Sequence, residues 1–86
     1  MIIHIDSSVT DLKSFYGIFA EFNSGFCGRS LDAVHDVLTE QSNPFEVILG
    51  TETLKRLFGR RSAIVIRMFF DSAEENPFMK LTVTDD

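Results

Sequence analysis

Tryptophan is absent from these 86 residues, and cysteine occurs once, as Cys27. A lone thiol cannot close an internal disulfide, so no disulfide framework staples the chain. Such sparing cysteine use favours a reducing, cytoplasmic home. No apolar run approaches the roughly 18 residues that a membrane span needs, so no contact with a membrane is expected. The opening MIIHIDSS lacks the basic start and long apolar stretch of a signal peptide. Glycine-rich phosphate loops, nucleophile elbows, repeats and low-complexity linkers are missing too. Between residues 55 and 67 there is no acid at all.

What is present is an ordinary globular composition, 44% hydrophobic and 24% charged. The length suits one domain with one core, residues 1–86. Nine phenylalanines beside one tyrosine imply a core built on phenyl rings. Net charge is −5, but Lys55, Arg56, Arg60, Arg61 and Arg67 give residues 55–67 a local +5. Subtracting +5 from −5 leaves −10 on the remainder. This split suggests an acidic surface that steers toward a basic partner. It argues against nucleic acid as the main ligand, although the basic segment by itself keeps an RNA-binding reading open.

Met1 to Ile5 is a short buried strand of β-branched residues. Ser8-Val9-Thr10-Asp11 resembles a capping box with Asp in the usual Glu position. Leu12, Phe15, Tyr16, Phe19 and Phe22 then mark one face of a helix. Asn23-Ser24-Gly25 ends it. Phe45 to Leu49 is nearly all apolar, which suits a central parallel strand covered on both faces. Glu52 to Phe58 is a short helix, stopped by Gly59. Ser62 to Glu75 has strand propensity at Ala63–Ile66, but its length favours a helix, with Asn76-Pro77 as terminators. Phe78 to Val83 alternates as a third strand, and Thr84-Asp85-Asp86 is a polar tail. Strands joined through helices imply a parallel sheet and an α/β class.

The stretch Phe26 to Thr39 carries most of the functional information. Gly28 makes a turn, and Ser30 is placed to cap the helix that follows. Leu31, Val34, Val37 and Leu38 form its apolar stripe. Asp32, His35, Asp36 and Thr39 recur at i, i+3, i+4 and i+7, so they share the opposite face. Two like charges four residues apart cost an isolated helix about 0.2–0.5 kcal/mol. Asp32 regains part of that from the helix N-terminus. The face reads either as a solvated acidic surface or as one that receives a positive partner.

That run, FCGRSLDAVHDVLT, resembles the signature of the barstar family, small intracellular inhibitors of secreted microbial ribonucleases. There an aromatic-x-Gly turn leads into a helix with Leu-Asp-Ala-Leu, an aromatic residue, Asp, an apolar pair and Thr. Gly28, Leu31, Asp32, Ala33, Asp36, Leu38 and Thr39 match. Phe26 stands where the family favours Tyr, Ser30 where it favours Asn, and His35 where it favours Trp. The order of elements is also that family's, over a chain of almost this length.

The resemblance implies a barstar-like α/β fold, a three-stranded parallel sheet packed with helices. It implies an inhibitor, monomeric alone and 1:1 with a basic extracellular ribonuclease or nuclease toxin, needing no cofactor or metal. Asp36 would enter the phosphate-binding centre of the nuclease cleft, and Asp32 would meet basic groups at its rim. Phe26 would pack on a catalytic histidine or its loop, and Gly28 would admit close backbone approach. Ala33 and Thr39 belong to the matching contact run, while Ser30 and His35 fill the remaining contact. Asp71 falls where the family has a further contacting acid, with Glu75 one turn on.

Other chemistry has less to stand on. Cys27 with His35 or His4 is the one candidate nucleophile–base pair, and a lone cysteine at a turn usually fills apolar space. Asp32, His35 and Asp36, with His4 and Asp6, make a poor metal set, because structural zinc prefers sulfur or several imidazoles. His4, inside an apolar strand, reads as a satisfied core or strand-end histidine.

Overall fold

In a computed structural model describing residues 1–86, three strands form one parallel sheet. They are β1 (Ile2–Ile5), β2 (Phe45–Gly50) and β3 (Met79–Thr84), in the spatial order β1-β2-β3. Helices α1 (Leu12–Phe22) and α2 (Leu31–Thr39) link β1 to β2. Helices α3 (Thr51–Phe58) and α4 (Ser62–Glu75), joined by a 3-10 turn at Gly59–Arg61, link β2 to β3. The architecture is the expected α/β sheet packed with helices, consistent with a barstar-like fold. The ambiguous Ser62–Glu75 stretch is helical throughout. No helix is long and apolar enough to cross a membrane.

The sheet buries only one face. Ile3, Ile5, Phe45, Val47, Leu49 and Met79 point into the core. The alternate rows, Ile2–Glu46–Lys80 and His4–Ile48–Thr82, lie on the other face. That face stays open, which corrects the expectation of a central strand covered on both sides. Its polar members pair with each other: Thr82 Oγ1 donates to Glu46 at 2.8 Å, and Lys80 Nζ stands 4.0 Å from the same carboxylate. Strand period therefore decides the matter, since neighbours along a strand point to opposite faces. His4 is exposed on the open face rather than satisfied within the core.

The core is largely phenyl, as the composition implies. Phe15, Phe19 and Phe69 are fully buried, each burial contributing about 1.5–3 kcal/mol. Phe15 packs edge-on to Phe19, Phe58 and Phe69 at 5.2, 5.1 and 6.4 Å between ring centroids. Such pairs add about 0.5–1.5 kcal/mol beyond area. Phe26, Phe70 and Phe78 are exposed instead.

Two local expectations change. Ser8 does not cap α1: its N–H and hydroxyl both donate to Asp6 Oδ1, at 3.0 and 2.6 Å, closing a turn. Asp11 is the cap and accepts from the Ser14 N–H at 2.7 Å. The C-terminal residues are also not a free tail. Glu52 and Thr53 donate their amides to the Asp85 and Asp86 carbonyls, at 3.3 and 3.4 Å. This serves the α3 N-terminus, where Gly50 offers no side-chain cap. A Cβ at Gly50 would run into the Asp86 oxygen and fall 2.7 Å from the Ile5 carbonyl.

Candidate functional site

The chain between α1 and α2 is held by its own hydrogen bonds. Ser24 and Gly25 take positive φ, 58° and 93°, reversing the backbone after Asn23. Gly25 N–H donates to Ala20 O at 2.6 Å, and Asn23 Nδ2 donates to Phe26 O at 2.8 Å. The result presents Phe26 outward, 77% exposed. Gly28 lies close against α2, where an added Cβ would meet Ala33 Cβ at 3.1 Å.

Helix α2 starts as its sequence dictates. Ser30 Oγ accepts from the Ala33 N–H at 3.1 Å. Val34, Val37 and Leu38 are buried and Leu31 partly so, which fixes the rotation of the rod. Its C-terminal end is tied to α4 by buried Asn76. The Asn76 amide donates to Leu38 O at 2.8 Å and Gln41 O at 3.0 Å. Its Oδ1 accepts from Phe78 N–H at 3.0 Å.

With that rotation fixed, Asp32 and Asp36 face solvent, and the Asp36 side chain is 72% exposed. No Lys or Arg of the chain pairs with either; the nearest ion-pairing group to Asp36 is His35 Nδ1 at 4.0 Å. A cleft of about 560 Å³ lies between the 23–28 loop and α2. Phe26, Cys27, Gly28, Ala33 and Val37 line it, with Asn23, Asp36 and Glu40 as its polar walls. A second groove of about 530 Å³ is lined by His35, Asp71, Glu74 and Glu75. There His35 Nε2 meets Glu75 Oε2 at 2.5 Å, joining α2 to the end of α4.

The sequence-derived residues thus divide. Phe26, Gly28, Ala33 and Asp36 converge on the first cleft, and His35, Asp71 and Glu75 on the second. Asp32 lines neither and stands exposed on the first turn. Ser30 spends its oxygen on the cap, and the Thr39 hydroxyl donates back to His35 O at 2.8 Å, so both are occupied within the helix. Asn23, Glu40 and Glu74 were missed. Glu40 extends the i, i+4 row of Asp32 and Asp36, a signal that was legible.

Cys27 and His35, one in each cleft, are each engaged by a neighbour. Burial pushes the Cys27 thiol up, away from thiolate, and its Sγ donates to Gly28 O at 3.2 Å. His35 Nε2 is engaged by Glu75. No three His, Cys, Asp or Glu side chains converge closely enough to hold a metal ion. The polar groups left free are carboxylates beside an exposed ring, which suits cationic side chains of a partner. No protein-family model matches the chain, and no curated protein matches it significantly.

Proposed function

We propose that the protein is a barstar-like inhibitor of a basic microbial ribonuclease, occluding the enzyme's active site stoichiometrically. The observation that carries this reading is Asp36: exposed on a rigid helix, unpaired by any Lys or Arg of its own chain, and set beside exposed Phe26. An enzyme that cleaves RNA must gather Arg, Lys and His around phosphate. Asp36 stands in for that phosphate, and Asp32 meets cations at the rim. Phe26 covers the enzyme's catalytic histidine or its loop. Asp71 and Glu75 extend the acidic contact past α2. The inhibitor acts in the cytoplasm, against a secreted nuclease before export or against an incoming nuclease toxin. It uses no cofactor and performs no turnover.

Titration into basic microbial ribonucleases, barnase among them, with a fluorogenic RNA substrate tests the proposal. The expected result is linear loss of cleavage ending at one inhibitor per enzyme. Full cleavage by every such enzyme at a large excess of the chain overturns it.

The departures at Phe26, Ser30 and His35 favour a second reading, a non-inhibitory module on the same fold with another basic partner. Co-purification separates the two. A complex that contains a nuclease and loses RNA cleavage supports inhibition, and a complex with a basic protein devoid of nuclease activity supports the second.

A further inference from the structure

The basic segment takes no part in the face described above, and its continuation along α4 has an order of its own. Arg60, Ile64, Arg67, Asp71 and Glu74 recur at alternating spacings of four and three, which places them on one side of the helix and its lead-in turn. All are exposed, Ile64 by 62%, and Phe70 beside them by 52%. None of Arg60, Arg67, Asp71 and Glu74 has an ion-pair partner within the chain. The stripe therefore carries unpaired positive charge at one end, unpaired negative charge at the other, and two exposed apolar side chains between.

We infer that this stripe is a self-association surface, covered by the same stripe of a second copy running antiparallel. Arg67 marks its centre. Glu74 lies seven residues beyond it on α4, about 10 Å along the axis and within about 20° of the same side, and Arg60 lies seven residues before it, in the 3-10 turn that leads into the helix. Ile64 and Phe70 each lie three residues from it. Reversing a second helix about Arg67 sets Arg60 against the partner's Glu74 at both ends at once. It brings the exposed apolar side chains of both copies to the middle. Each Arg67 then has the partner's Asp71 within one turn, offsetting the approach of the two arginines. The arrangement is self-complementary and closes on a two-fold axis, the commonest oligomer symmetry. A nucleic acid laid along the same stripe would meet Asp71 and Glu74 at its far end and be repelled.

The self-association stands independently of the nuclease reading but bears on it. Asp71 and Glu74 also line the groove beside His35, so a dimer withholds them from any basic partner.

Sedimentation equilibrium of the full chain at about 20 mM and about 500 mM salt tests the inference. The expected result is a monomer–dimer equilibrium in low salt, weakened about tenfold or more in high salt. Arg60→Glu and Glu74→Arg should each abolish the dimer, since each places like charges at both ends. Mixed in equal amounts, the two variants should re-form a heterodimer, because both ends then carry opposite charges. That recovery also excludes misfolding as the cause of the losses. A chain that stays monomeric in low salt overturns the inference, and so does a mixture that fails to recover. A monomeric chain that shifts a labelled RNA through Arg60 also overturns it, assigning the stripe to nucleic acid.

Discussion

Replacing Asn76 with alanine should destabilise the protein by about 3 kcal/mol. Asn76 is 3% exposed, and its side chain makes three hydrogen bonds, donating to the Leu38 and Gln41 carbonyls and accepting from the Phe78 amide. Each such bond has a net worth of about 1 kcal/mol, and a buried partner left unsatisfied costs about 1–3 kcal/mol. The loss sits at the low end of that range because the bonds to Gln41 and Phe78 are only part-buried. A domain of this size has a total stability of only about 4–13 kcal/mol, so the loss is a large fraction. Asn76→Asp should be worse at neutral pH. It keeps the acceptor for Phe78 but turns an oxygen toward two carbonyl oxygens. Lowering the pH protonates the new carboxyl and returns one donor, so its deficit should shrink toward acid. Urea unfolding followed by circular dichroism measures both variants. A stability within about 0.5 kcal/mol of wild type for Asn76→Ala would refute the claim that this side chain clamps α4 to the end of α2.

Further outcomes follow from single contacts. Gly50→Ala should cost about 1–3 kcal/mol in the same unfolding assay, because its Cβ would collide with the Ile5 carbonyl as well as with Asp86; unchanged stability would contradict that packing. Asp11→Ala should lower the melting temperature at neutral pH. The backbone amide and hydroxyl of Ser14 hold the Asp11 carboxyl below its ordinary 3.8, so its ionised form stabilises the fold above that value. The gap to the variant should therefore narrow as pH falls through the lowered folded value, and a gap that widens toward acid would contradict the cap. Cys27 should react slowly with iodoacetamide at neutral pH, since burial disfavours its thiolate; a rate above that of free cysteine would place the thiol in a different environment.

Helix α4 was legible because length overrules local propensity: fourteen residues ending at Asn-Pro do not fit a strand. The α2 stripe and its Ser30 cap were legible because apolar period and cap chemistry agree. The cap of α1 was not, since Ser8 and Asp11 both have capping side chains and only the turn closed by Asp6 decides between them. The open sheet face was misread because Glu46 is one charge in an apolar strand, yet that charge already marks the solvent side. The Asn76 clamp and the cap from Asp85 and Asp86 join residues distant in sequence, which no local pattern records. On the candidate face, Asp36 and Phe26 stood out in the chain. The His35–Glu75 bond depends on how α2 packs on α4 and did not.

The most direct test is the affinity of Asp36→Ala for an inhibited ribonuclease, measured by titration calorimetry beside wild type. The expected loss is about 2–5 kcal/mol, a range that comes from truncated charge pairs including those of the barnase–barstar complex itself. The wild-type association rate should fall steeply with salt. An Asp36→Ala protein that binds and inhibits as wild type does would contradict the claim that this carboxylate takes the place of the substrate's phosphate.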